Sequence, residues 1–143
     1  MTTNVNSGIN YLITNVKSGT AIDLSAGDNT TVTGWPVNGG TNQIWTLNWT
    51  GNSWTFRSVA TGRYLAIQGT PADGLPIVGI DTPFEWHIWR DNANTNTFRI
   101  FVPFTVQNLD LYANGLSTPG DPITLWSTWN GIHQTWNFMQ GMT

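Results

Sequence analysis

Apolar and polar residues alternate along this chain in short runs and never in long ones. Trp54-Thr55-Phe56-Arg57-Ser58-Val59 and Phe98-Arg99-Ile100-Phe101-Val102 repeat large apolar side chains at alternate positions, the spacing of a strand with one face buried. Gly and Pro punctuate nearly the whole chain. The longest stretch without either, 84–102, is broken by the polar turn Asp91-Asn92-Ala93-Asn94-Thr95-Asn96. Long helices have nowhere to form, so the pattern predicts an all-β domain of short strands.

The pattern also recurs, in lobes of about 9–47, 48–90 and 94–140. The first opens on the aromatic strand at Tyr11, turns at Ser18-Gly19, continues through Ala21-Ile22-Asp23-Leu24 and closes at Gln43-Ile44-Trp45. In the second, Trp54 opens, Thr61-Gly62 turns, Tyr64-Leu65-Ala66-Ile67 follows and Phe84-Glu85-Trp86 closes. In the third, Phe98 opens, Asn108-Leu109-Asp110-Leu111 occupies the middle and Gln134-Thr135-Trp136 closes. No copy is large enough to bury its own apolar face, so the three must pack around a common axis. Three blades are too few for the usual propeller and a solenoid wants capping repeats. One domain spanning 1–143, three pseudo-symmetric lobes of short antiparallel strands around a closed barrel, is the architecture expected.

Composition narrows the function. The 143 residues include 9 Trp and 6 Phe but no Cys, which removes disulfides, thiolate nucleophiles and Cys-based zinc sites together. Only 9% of residues are charged, against about 25% in an average protein, so the polar surface is built from Asn, Thr, Ser and Gln and suits neutral ligands. A net charge of −3 with Lys17, Arg57, Arg63, Arg90 and Arg99 as the fixed cations cannot neutralise a run of phosphates, which argues against nucleic acid. The polar segment 1–8 lacks the apolar stretch of a signal peptide, and no long apolar run inserts in a membrane. A cytoplasmic protein is expected, with any release by a non-classical route. Two His and a single Glu form no spaced metal-ligand or catalytic cluster; neither an enzyme nor a cofactor or metal is expected.

A threefold repeat closed by Gln-any-Trp beside an Asp-Leu pair resembles the fungal ricin B-type lectins, and the resemblance covers nearly the whole chain. It implies a β-trefoil and, in each lobe, a shallow sugar site made of an Asp after the second strand, an aromatic platform and a polar residue before the closing motif. The first lobe supplies Asp23, Trp35 and Asn42 followed by Gln43; the third supplies Asp110, Trp126 and His133 followed by Gln134, at the same interval from Trp to Gln. The second has Ala66, Ile80 and Phe84 at those positions, and is expected to be silent.

The chemistry matches the residue types. An ionised Asp only accepts hydrogen bonds, so its two oxygens can take protons from adjacent sugar hydroxyls. An indole face covers the C–H face of a pyranose. Asn42 both donates and accepts, as hydroxyls do, and the ring of His133 can still meet a hydroxyl. Structural uses compete: a loop Asp can cap a turn, Trp35 and Trp126 can be partly core, and His133 can be an ordinary exposed side chain. Trp45, Trp86 and Trp136 are expected in the core, His87 to be structural, and Gln43 and Gln134 to satisfy backbone groups beside the sugar. Asp23 and Asp110 stand on different lobes, too far apart to flank one glycosidic bond. Within the family the chain looks like the mushroom branch, which holds a mannose-binding lectin-like protein of the button mushroom and the trefoil light subunit of mushroom tyrosinase. That resemblance implies glycans of mannose or galactose type, or a role as non-catalytic partner of an enzyme such as tyrosinase. A protease inhibitor is the weaker alternative.

Overall fold

The computed structural model describes residues 4–140. They form twelve strands: β1 (Ile9–Asn15), β2 (Ala21–Leu24), β3 (Val32–Trp35), β4 (Ile44–Trp49), β5 (Trp54–Ser58), β6 (Tyr64–Ala66), β7 (Val78–Ile80), β8 (His87–Arg90), β9 (Phe98–Phe101), β10 (Gln107–Leu111), β11 (Asp121–Ser127) and β12 (Trp136–Gln140). All pairings are antiparallel, and they sort the strands into two layers. β1 pairs with β4 and β12, β4 with β5, β8 with β9, and β9 with β12. A bridge from Trp54 to Trp86 joins β5 to the start of β8, and the ring of six strands closes without an edge. The remaining strands form the hairpins β2–β3, β6–β7 and β10–β11. Bridges Gly34–Asp121, Thr31–Val78 and Pro76–Thr124 tie these hairpins to one another as a triangular cap over the barrel. This is the closed three-lobed barrel that the repeat predicts, and the β-trefoil that the resemblance implies.

The expected anchors hold it together. Trp45, Trp86 and Trp136 are completely buried, and each indole N–H donates to the middle of a cap hairpin, at the carbonyls of Ile22 (3.0 Å), Leu65 (2.8 Å) and Leu109 (3.3 Å). Burying an indole stabilises by about 4–6 kcal/mol before the cost of ordering it, and the bond keeps its N–H from being stranded in the core. Ile13, Phe56 and Ile100, at matching places on β1, β5 and β9, complete the inner layer. The same tryptophans thereby fix the distance between barrel and cap in all three lobes. The turn expected at 91–96 separates β8 from β9, with Asp91 Oδ2 accepting from the backbone N–H groups of Ala93 and Asn94. Among the described residues no helix is long and apolar enough to cross a membrane.

Candidate functional site

The hairpin registers align the three candidate sites. Asp23 lies opposite Thr33, Ala66 opposite Val78 and Asp110 opposite Thr124; Trp35 lies opposite Ala21, Ile80 opposite Tyr64 and Trp126 opposite Asn108. Acidic and aromatic positions are therefore diagonal neighbours on one face of each hairpin, because side chains two residues apart share a face. The second lobe presents Ala66 and Ile80 there, and Phe84 packs on Trp86 at a ring-centroid distance of 5.0 Å.

In the first lobe a short 3-10 turn over Thr41–Gln43 delivers Gln43 into the interior, 1% exposed. Its Nε2 donates to Asp23 Oδ2 and to the Pro36 carbonyl, each at 3.0 Å, while its Oε1 accepts from Asn38 N–H at 3.1 Å. Asn42 donates to the Leu24 carbonyl at 3.1 Å. The Asp23 carboxylate is thus clamped by one oxygen, and no hydrogen bond from the described residues reaches Oδ1. Trp35, 42% exposed, stands beside it, and both line a cleft of about 370 Å³ with Thr31, Asn38 and Asn42.

The third lobe repeats this scheme. Gln134 Nε2 donates to Asp110 Oδ2 (2.8 Å) and the Ser127 carbonyl (3.1 Å), and Gln134 Oε1 accepts from Trp129 N–H (3.0 Å). Trp126 is exposed to the same 42% as Trp35. His133 departs from expectation: it is buried, with Nε2 3.1 Å from Asp110 Oδ2 and its ring edge-on to Trp129 at 5.3 Å. Both lobes carry the same 3-10 turn; the His133 ring is held inward by its pairing with Asp110 and by Trp129, which stands where the first lobe has Asn38. Burial pushes the Asp110 carboxyl above its usual range, against the opposing pull of Gln134 and His133. One expectation is corrected in both lobes. Only one oxygen of each Asp is left unclamped, since the closing glutamine of its lobe occupies the other.

Among the described residues no group of three or more His, Cys, Asp or Glu side chains converges as metal ligands. A ricin-type beta-trefoil lectin domain matches residues 2–80. Over nearly the whole length the chain is 59% identical to the ricin B-like lectin of Macrolepiota procera, whose structure was solved with lactose; 96% of this chain and 99% of that one are covered, with a TM-score of 0.95. The chain belongs to the ricin-type β-trefoil lectin family. The lectin is also 26% identical to the Rhizoctonia solani agglutinin, covering 98% and 99% of the two chains at a TM-score of 0.86. The designed threefold-symmetric protein ThreeFoil, 18% identical and covering 92% and 98%, shares the fold at a TM-score of 0.83. No curated protein matches the chain. The two natural relatives are named as a lectin and an agglutinin, in accord with a binding protein rather than an enzyme.

Two features of the lectin escape its linear sequence. Arg99 on β9 reaches Gln134 Oε1 (2.9 Å), the Trp129 carbonyl (2.8 Å) and Asp91 Oδ1 (2.8 Å), and so buttresses the third-lobe clamp from another strand. The lone charge inside an apolar strand was the available signal. The second feature is the seat behind each platform. Asn29, Gly74 and Gly120 occupy matching places in the three cap hairpins, all at positive φ. A Cβ added at Gly120 would lie 3.6 Å from the Trp35 ring, and one at Gly74 3.9 Å from the Trp126 ring. Each platform leans on a glycine of the neighbouring lobe, whereas the lobe facing Asn29 carries Ile80 and no platform.

Proposed function

We propose that this lectin captures neutral, galactose-type sugars reversibly and without metal, at the first lobe and more weakly at the third. The carrying observation is the first-lobe cleft, where Asp23 offers an unclamped Oδ1 beside the exposed face of Trp35. Sugar hydroxyls donate to the unclamped Oδ1, which can accept two, the pyranose C–H face lies on the indole, and Asn42 serves a further hydroxyl through its amide oxygen and remaining N–H. Asp110 and Trp126 act likewise in the third lobe, where Gln134 and His133 hold the carboxylate from behind. Gln43 and Gln134 orient their carboxylates from within and leave the direct contacts to Asp and Trp. The third lobe is the weaker because a second donor, His133, already draws on Asp110 Oδ2. The second lobe, with Ala66 and Ile80, takes no sugar.

The lactose held by the Macrolepiota procera lectin supports galactose over mannose. Sites this open to water bind a free monosaccharide near the millimolar scale, about −4 kcal/mol, so function depends on two lobes engaging one multivalent glycan surface. Retention on lactose-agarose against mannose-agarose, with chelator present, tests the reading. Elution from the lactose resin by free galactose is the expected result; retention by mannose resin alone would revive the mannose branch of the resemblance, and loss on chelation would end the metal-free claim. Failure on both resins would favour the reading as an enzyme's partner subunit, for which the exposed Phe104 and Trp89 offer a surface.

A further inference from the structure

Beside the third-lobe clamp a larger cleft, of about 600 Å³, opens between the turn that joins β8 to β9 and the segment that precedes the last 3-10 turn. Its walls carry two half-exposed indoles, Trp89 at 59% and Trp129 at 51%. Arg99 fastens the two sides to each other: Nε donates to Asp91 Oδ1 at 2.8 Å on one wall, and Nη1 and Nη2 reach Thr128 Oγ1 (3.1 Å) and the Trp129 carbonyl (2.8 Å) on the other. The ion pair is largely shielded from water, with side-chain exposures of 11% and 12%. The cleft is therefore held open before any ligand arrives, which spares the ordering cost of binding.

Its chemistry selects the ligand class. Asp91 spends its other oxygen on the N–H groups of Ala93 and Asn94, and the guanidinium of Arg99 is committed to protein acceptors. Arg90, the third charged side chain of the walls, donates to the Thr95 carbonyl and to Asn4 Oδ1, so each charged group lining the cleft is engaged with the protein. What remains is polar and neutral: the side-chain amides of Asn92 and Asn130, which make no hydrogen bond among the described residues, and the Thr128 hydroxyl, whose proton is still free to donate. Two indole faces with amides and a hydroxyl between them suit a chain of pyranose rings, which alternates C–H faces with hydroxyl edges. The space also exceeds that of the first-lobe cleft, so more than one ring fits.

We propose that this cleft is a third carbohydrate site, specific for neutral oligosaccharides, which shares Arg99 and Trp129 with the third-lobe clamp but does not use Asp110 or Trp126. It does not require that the Asp-centred lobes bind. The test is ¹⁵N indole spectroscopy of the intact protein, with signals assigned by single Trp→Phe variants, during titration with lactose, mannotetraose and chitotetraose. At least one tetrasaccharide should shift the Trp89 and Trp129 signals along a saturating curve of their own, and Trp89→Ala should abolish the Trp129 shift while those of Trp35 and Trp126 persist. Trp89 is half-exposed, so its loss leaves the core intact. Movement at Trp35 and Trp126 with Trp89 unmoved by all three sugars would overturn the proposal and leave the lobe sites standing. Movement at Trp89 with Trp35 and Trp126 still would do the reverse. Stillness at all four would overturn both.

Discussion

Replacing Gln43 with Leu separates the clamp from the rest of the site. The side chain is close in volume and stays buried, but three bonds disappear: Nε2 to Asp23 Oδ2, Nε2 to the Pro36 carbonyl, and Asn38 N–H to Oε1. Each buried group left without a partner costs about 1–3 kcal/mol, more for the carboxylate. The bonds at Pro36 and Asn38 are only part-buried, so water takes up much of what they lose and the three together cost about 4–5 kcal/mol; the added apolar burial returns about 1–2 kcal/mol, for a net loss of about 2–4 kcal/mol. For a domain of this size each kcal/mol moves Tm by about 3 °C, which gives a fall of about 6–12 °C in a thermal melt. Gln134→Leu should fall further, because Gln134 Oε1 also holds Arg99. Phe84, the counterpart in the second lobe, shows the apolar solution: with Ala66 in place of the Asp there is no carboxylate to clamp. Lactose binding should weaken in Gln43→Leu even at temperatures where the protein is folded, since Asp23 is no longer fixed. A melt within 2 °C of wild type, or Gln43→Leu costing more than Gln134→Leu, would refute this account of the closing motif.

Three further outcomes are expected. Burial raises Asp110 above its ordinary pKa of 3.8, so on acidification its acceptor form begins to be lost at a higher pH than for an ordinary carboxylate and is already the minority form at pH 3.8; the lactose response of the Trp126 indole should decline from above that pH, and a response undiminished there would contradict the assignment. Gly120→Val forces a branched side chain to φ +88° and against the Trp35 ring, so sugar titration should show the first-lobe response weakened roughly tenfold, about 1.4 kcal/mol, with the Trp126 response unchanged. Ala66→Asp alone should create no binding in the second lobe by the same titration, because Ile80 supplies no platform and Phe84 cannot clamp a carboxylate; a gain would show the indole to be dispensable.

The parts of the molecule that repeat were legible in its sequence. Trp45, Trp86 and Trp136 recur with the lobes, and their burial follows from three small units sharing one core. Asp23, Trp35 and Gln43 could be lifted from the chain because the third lobe writes them again at the same interval. What breaks the repeat was less accessible. Arg99 acts through Gln134, which lies 35 residues away and across strands, and nothing in a linear pattern pairs them. His133 read as a candidate hydroxyl partner because it precedes Gln134, but its ring pairs with Asp110 and packs on Trp129, contacts that the residue type alone does not show. Gly120 and Gly74 carry no distinguishing mark in the sequence; their use as seats for the platforms of neighbouring lobes depends on how the hairpins meet in the cap.

The central claim is that Asp23 and Asp110 capture the sugar. A glycan array probed with the wild-type protein beside a folded Asp23→Ala/Asp110→Ala variant tests it most directly. Binding of the wild type to galactose-terminated glycans, lost in the variant, is the predicted result. Equal binding of those glycans by both proteins, or no binding by the wild type, would contradict it.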